Sequence, residues 1–344
     1  MAAGKPIGIG LAGTGRWARG FWESAAGCPD VRLVACYDPR PESASDFAAR
    51  FGCPAQPSLE SLVAHPAVEA VAVFTPNSFH RRPTELTAAA GKHVFCEKPI
   101  ANTVDDAAAM IRACHSAGVT LMVGHSARYS PASRALKSAL DAGRLGQPIM
   151  VEGNNSHSGG ARLSNREWRW HRDEAPGGPL MQLAIHTFDT LHYLLGPVHR
   201  ATALSDASLL PSEIEDVFVC LLEFDSGLLG YVGTNYASPA VNYLRLYGRR
   251  ANALASGGHL TLTLADERNP WETTTEETDL PPLSPHAAEM TEFARALRTG
   301  SPPETGAREG LLALGVVWAC LTSAQRGCPV DVREALGDAA SLLA

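Results

Sequence analysis

The strand-like run Ile7-Gly8-Ile9-Gly10-Leu11 feeds into Gly13-Thr14-Gly15-Arg16-Trp17-Ala18, and a helical stretch follows. This is the G-x-G-x-x-G/A pattern with alanine in the third position. Gly13 permits the tight turn, Gly15 lets backbone approach a pyrophosphate, and Ala18 keeps the helix close to the strand. The helix N-terminus then offers unpaired N–H groups to phosphate. Thr14, Arg16 and Trp17 ride on the same turn and become candidate cofactor contacts. The pattern alone fits a ligand-free glycine turn equally well, so its context has to decide. Asp38 supplies that context: it ends the second apolar run, twenty residues past Ala18, where an acid bonds the hydroxyls of an adenosine ribose. A carboxylate there repels a 2′-phosphate and favours NAD. Arg40, two residues on, is suited to clamp that phosphate and keeps NADP open. The plainer alternative for Asp38 is a solvated turn acid before Pro39.

The alternation continues. Apolar runs at Val31 to Tyr37, Ala70 to Phe74, His93 to Cys96 and Thr120 to Val123 are separated by helical candidates at Pro41 to Phe51, Arg82 to Ala90 and Val104 to Ala117. Strand–helix repetition of this kind predicts a parallel sheet covered by helices on both faces. Its carboxyl edge, where open α/β sheets bind ligands, carries Thr75-Pro76-Asn77…His80 and Glu97-Lys98-Pro99. Lys98 is equally consistent with a solvated ion pair at this stage. After Pro131 the texture changes to a helix, a strand at Gln147 to Ser156, a loop at Gly159 to Gly178, a helix at Leu180 to Leu195, and six strand candidates between Ala201 and Leu264. Short turns between successive strands predict an antiparallel sheet. Trp271 to Leu280 reads as an exposed strand or loop, and Pro285 to Arg298 and Ala307 to Gln325 as two closing helices. The fold class is therefore α/β followed by α+β.

At 344 residues the chain is sized for two domains, with a seam expected near Gly124: residues 1–124, then 125–344. The 29 basic and 36 acidic residues give a net charge of −7, no footprint for nucleic acid, and no polybasic stretch suits a membrane surface. Eight scattered cysteines without CxxC spacing read as reduced, mostly buried thiols. The uncharged stretch Gly310 to Gln325 falls short of the ~20 residues a span needs and reads as a buried helix. No apolar leader precedes the first strand. A soluble cytoplasmic protein is expected, with no metal site.

In the second half, Gln182 and His186 lie four apart and share a helical face with Asp189 and Tyr193. His186 is either a chemical group or a core histidine bonded to a carbonyl. His157, beside Asn154 and Asn155, is placed to meet sugar hydroxyls or to sit in a solvated loop. Trp168-Arg169-Trp170-His171 forms an aromatic and basic cluster that packs a cleft or stacks on a sugar face.

Taken together, Gly91-Lys92-His93-Val94-Phe95-Cys96-Glu97-Lys98-Pro99, Thr75-Pro76-Asn77…His80, Arg128-Tyr129, Gly143-Arg144-Leu145-Gly146, Trp168-Arg169, Gly177-Gly178 and His186…Asp189 resemble the Gfo/Idh/MocA oxidoreductase family along nearly the whole chain. The resemblance implies a Rossmann dinucleotide-binding domain, then a domain with a large, mostly antiparallel, open-faced sheet. It implies that Lys98 lies beside the nicotinamide and reaches the substrate hydroxyl, and that Glu97 contacts the nicotinamide ribose. The oxidation needs a base poised near neutrality, and crowding by substrate and the nicotinamide cation is expected to lower the Lys98 pKa towards that range. The bond into Pro99 is expected to be cis. Thr75, Pro76, Asn77 and His80 would border the cofactor, and Arg128 and Arg169 the cofactor or substrate. Catalysis would rest on Lys98, His186 and Gln182; substrate binding on Lys98, His157, Arg169, Gln182 and His186. Gln182 stands where many relatives carry an aspartate, and a glutamine cannot raise the histidine pKa as a carboxylate would. The expected activity is hydride transfer between NAD, or NADP, and a secondary alcohol of a sugar, cyclitol or related polyol, in a homodimer or homotetramer. The alternatives are a redox-neutral NAD-dependent glycosidase and a non-catalytic dinucleotide-binding regulator.

Overall fold

A computed structural model describes residues 5–266, 268–269 and 271–343. Contacts divide the chain into two compact units. One contains the residues up to 126 with 284–311 and Leu343; the other contains 127–283 with 312–342.

In the first unit the order is β1 (Ile7–Ala12), α1 (Arg16–Ala25), β2 (Val31–Tyr37), α2 (Pro41–Phe51), α3 (Leu59–Ala64), β3 (Ala70–Val73), α4 (Arg81–Ala89), β4 (His93–Glu97), α5 (Val104–Ser116) and β5 (Leu121–Gly124). The strands form one parallel sheet in the order β2-β1-β3-β4-β5. β1, β3 and β5 are buried along their whole length, which is why they read as continuous apolar runs and not as alternating ones.

The second unit runs α6 (Pro131–Asp141), β6 (Pro148–Ser156), a π-helical turn at Leu180–Ala184, α7 (Ile185–Leu195), β7 (Val198–Asp206), β8 (Val217–Phe224), β9 (Leu229–Asn235), β10 (Val241–Gly248), β11 (Ala251–Ser256), β12 (His259–Ala265) and β13 (Thr273–Asp279). The rest of the chain is α8 (Pro285–Thr299), α9 (Ala307–Arg326), β14 (Val330–Asp331) and α10 (Val332–Leu336). Nine strands make one sheet, β13-β12-β11-β10-β6-β9-β8-β7-β14, antiparallel throughout except for the β6–β9 pair. β8 alternates strictly between buried and open positions: Phe218, Cys220 and Leu222 point into the core, Val219 and Leu221 to solvent. The acidic, Thr-rich stretch expected as strand or loop is β13, an edge strand exposed at every position. Its charges guard that edge against further pairing.

The division differs from the expected 1–124 and 125–344 in one segment. Residues 284–311, expected to close the second domain, group with the first. Phe293 of α8 meets Phe95 of β4 with ring centroids 5.7 Å apart. The Val123 N–H donates to the Thr305 carbonyl at 2.7 Å, and Met122 pairs with Gly306 in a short antiparallel bridge. This returning segment covers the free edge of β5, which an open sheet would otherwise leave unpaired.

All eight cysteines are free thiols, and only Cys328 is exposed. α9 is 20 residues long and apolar enough to cross a membrane by length and composition, yet 67% of its apolar window is buried within the protein.

Candidate functional site

In the first unit, β1 lies between β2 and β3, where the strand order reverses, and chains of this topology bind ligands at that reversal. Gly13 has φ +94°, and a Cβ there would fall 2.6 Å from the Phe74 carbonyl oxygen, so only glycine serves. Gly15 caps α1 with no side-chain hydrogen bond, and the position of its missing Cβ faces open space. The first N–H groups of a ten-residue helix are thus uncapped by side chains and face a gap suited to an anion. Ala18 is buried and Trp17 is half exposed beside this turn. Across from it, Thr75 Oγ1, Asn77 Nδ2 and Ser78 Oγ are buried without a hydrogen-bond partner. Uncapped donors, an open gap and three orphaned polar groups along one sheet edge are the complement a dinucleotide requires.

Asp38 is buried, and its carboxylate is heavily bonded. Oδ2 accepts from the Thr14 N–H at 2.9 Å and the Thr14 hydroxyl at 3.1 Å. Oδ1 accepts from the Arg40 N–H and Nε, each at 3.0 Å. Burial alone would raise the Asp38 pKa, but the Arg40 guanidinium and the two N–H groups outweigh it and hold the carboxyl below its usual range. A depressed native pKa contributes stability that is present above the unfolded value and lost as pH falls through the native one. Replacing Arg40, which is largely exposed, with alanine should therefore lower stability at pH 7 by less than about 1 kcal/mol. The deficit should shrink as pH falls from the usual carboxylate range through the lowered native one, as read from urea unfolding across acid pH; a deficit independent of pH would disprove the assignment. Ser43, which sequence reasoning passed over, extends the network through the Thr14 hydroxyl at 2.9 Å. Nothing in the sequence marks it beyond its place one turn past Arg40.

One strand further along the edge, the Lys98-Pro99 bond is cis, as the resemblance implied. The Lys98 N–H donates to Glu97 Oε2 at 3.1 Å, so the buried glutamate braces the lysine backbone. Gly124 leaves room for it, since a Cβ there would lie 3.2 Å from Glu97 Oε1. His80, expected to border the cofactor, instead turns its ring inward. It is 1% exposed, and both ring nitrogens face backbone carbonyls of this unit.

In the second unit the expected single helix over Leu180 to Leu195 opens with a π-helical turn that carries Gln182, and His186 follows in the first turn of α7. The i→i+5 bonding widens that turn, so a spacing of four no longer ensures one shared face. Tertiary bonds hold it there: Asn155 Nδ2 donates to the Leu183 carbonyl at 3.2 Å, and the Thr234 hydroxyl reaches the carbonyls of Asn155 and Pro179. π turns of this kind recur at functional sites.

Arg128 belongs to this second unit. Its Nε donates to Asp189 Oδ2 at 3.1 Å and Nη2 to Oδ1 at 2.6 Å, with both side chains buried. Asp189 is thereby an ion-pair partner and not a second acid beside His186. Tyr193 lies under two guanidinium groups, Arg128 at 5.3 Å and Arg134 at 5.1 Å.

His157 caps a short 3-10 turn by accepting the Gly159 N–H at 2.9 Å and stacks on Tyr236 at 5.3 Å. Arg169 lies 4.2 Å over the Trp168 ring. Trp168 packs with Leu163, Leu183 and Leu210 against Ala175, Ile214 and Tyr236, which fixes the loop as a small core. Tyr236, at the end of β9, joins the His157 and Trp168 groups, and no sequence motif announces it. Burial pushes its phenol well above the usual range.

Comparison with known proteins gives matches over both units. Residues 7–125 match the family described as "Oxidoreductase family, NAD-binding Rossmann fold", and residues 133–254 match the GFO/IDH/MocA C-terminal domain. A 1,5-anhydro-D-fructose reductase of Ensifer adhaerens is 28% identical, covering 95% of this chain and 99% of its own. An inositol 2-dehydrogenase of Rhizobium meliloti is 30% identical over 61% of each chain. Among solved structures, a candidate NADPH-dependent oxidoreductase from Desulfitobacterium hafniense superposes with a TM-score of 0.91 at 31% identity, covering 96% of this chain and 99% of that one.

Proposed function

Because the chain belongs to the Gfo/Idh/MocA family of NAD-binding oxidoreductases, we propose that it transfers hydride between a nicotinamide cofactor and a secondary alcohol of a sugar, cyclitol or related polyol. The observation that carries this reading is the conjunction in one unit of a fitted dinucleotide edge with Lys98 at its next loop. Gly13, Thr14, Gly15, Arg16 and Trp17 would hold the pyrophosphate half, Asp38 and Arg40 the adenosine ribose, and Thr75, Pro76, Asn77 and Glu97 the nicotinamide half. His80 shapes that edge from within, and Arg128 acts through its pair with Asp189. The bound nicotinamide supplies the hydride acceptor or donor.

Lys98 then has the task of removing the proton from the hydroxyl as the carbon is oxidised, and of returning it in the reverse direction. His186 and Gln182 are the proposed hydroxyl-binding groups, with His157 and Arg169 as further substrate contacts. Gln182 orients the substrate without adding charge, which leaves proton transfer to Lys98 and His186. Asp38 favours NAD, and its pairing with Arg40 moderates repulsion of a 2′-phosphate. A screen of sugars, cyclitols and anhydrosugars for NADH or NADPH absorbance, run with each cofactor separately, tests the reading. No turnover of any polyol by protein that binds NADH would overturn it.

The partner surface is the open face of the nine-stranded sheet. Leu204, Val219, Leu221, Leu229 and Tyr231 lie exposed on it in adjoining registers of β7, β8 and β9. Contiguous apolar surface of this kind marks an association site, and a second copy of the chain is the proposed occupant, in a cytoplasmic homodimer or homotetramer. Leu221→Arg should convert the oligomer to a monomer in sedimentation while leaving the circular dichroism unchanged. A wild-type protein that sediments as a monomer at micromolar concentration would refute it.

A further inference from the structure

The His80 ring sits between two loops at neighbouring strand ends. Nδ1 lies 3.0 Å from the Pro99 carbonyl oxygen and 3.3 Å from that of Ile100. Nε2 lies 3.0 Å from the Thr75 carbonyl oxygen. The ring thus spans from the turn that carries the orphaned Thr75, Asn77 and Ser78 groups to the segment immediately after Lys98. It is almost wholly enclosed. Within that second segment Ile100 is fully buried, and Cys96 Sγ reaches its carbonyl at 3.7 Å, a weak sulfur contact.

Burial opposes a charged imidazole here and outweighs the Thr75, Ile100 and Pro99 carbonyls that favour it, so the His80 pKa lies below its usual value. A neutral ring has one N–H for carbonyl oxygens on two sides. Both facing groups are carbonyl oxygens, which only accept, so a neutral ring donates to one loop and packs against the other, and the width of the ring sets the distance between them. That is the behaviour of a spacer.

We propose that His80 is a positioning residue: its ring sets the separation between the Thr75–Ser78 turn and the Lys98–Ile100 segment, and so the placement of Lys98 relative to the cofactor-binding turn. The proposal rests on the functional reading above and deepens it. His80 touches neither substrate nor cofactor. It controls turnover through Lys98 and leaves most of the dinucleotide contacts alone.

The test uses the full-length protein and three variants. His80→Phe keeps an aromatic ring and removes both nitrogens; His80→Asn and His80→Gln keep one donor and one acceptor. A displacement of Lys98 by about 1 Å should cost His80→Phe roughly 100-fold in kcat. NADH affinity, read by quenching of tryptophan fluorescence, should stay within about threefold, because the fingerprint turn is intact. The better of the two amide variants should recover about a tenth or more of wild-type turnover with the KM for the polyol little changed.

A second readout is independent of activity. Hydrogen exchange in peptides covering 75–80 and 97–102 should rise together in His80→Phe and return towards wild type in the amide variant. Wild-type turnover in His80→Phe, parallel loss of NADH binding and kcat, or unchanged exchange in both peptides would overturn the spacer. If wild-type protein turns over no polyol, the functional reading fails by itself, and the exchange comparison still decides the role of His80.

Discussion

Lys98→Met should lower kcat by about three orders of magnitude, roughly 4 kcal/mol of transition-state stabilisation, while NADH affinity changes by no more than about threefold. Methionine fills nearly the same volume, so packing of the loop survives and only the proton-transfer group is lost. The backbone bond from residue 98 to Glu97 does not depend on the side chain, which keeps the loop in register. The fingerprint turn around Gly13 and Gly15 lies on a different strand, so binding and chemistry separate cleanly. Steady-state kinetics on the best polyol from the screen, with a parallel fluorescence titration of NADH, checks both halves. Turnover within tenfold of wild type would remove Lys98 as the acid–base group and shift that role to His186.

The second large effect is on stability. Asp189→Ala should destabilise the folded protein by about 3–5 kcal/mol, because it leaves the Arg128 guanidinium buried without its carboxylate. The pair is bidentate and nearly inaccessible to water, and it joins α7 to the turn before α6 across 61 residues of sequence. Arg128→Met in the same background should recover part of the loss, since removing both charges costs much less than stranding one. Urea unfolding of the single and double variants measures this. Loss of less than about 1 kcal/mol for Asp189→Ala would show that the pair is hydrated and contributes little.

Much of the architecture was legible because its signals are local. A strand buried on both faces shows as an apolar run, and a glycine turn before a helix shows as three fixed spacings. The β8–β9 hairpin shows in Asp225-Ser226-Gly227, where Gly227 adopts φ +82°. What escaped notice depends on distant partners. α3 is six residues long, too short for a helical period to emerge. The π turn under Gln182 follows from bonds to Asn155 and Thr234, which are far from it in sequence. His80 was placed at the right edge, but motif position says nothing about which way a ring turns. The resemblance placed Arg128 beside the cofactor or substrate and spacing placed Asp189 on the His186 face, and only packing reveals the two as partners.

The return of residues 284–311 to the first unit also has a consequence for biosynthesis. A ribosome delivers the fingerprint turn long before the covering segment, which emerges only after every strand of the nine-stranded sheet except β14. Until that segment emerges, the β5 edge lacks Thr305 and Gly306, and Phe95 lacks Phe293. Domains usually complete in the order they are synthesised; here the dinucleotide unit begins first and closes only when most of the chain is out. A nascent chain therefore carries an open parallel edge from residue 124 until residue 305 is made, and a fragment ending at residue 126 lacks the segment that covers that edge.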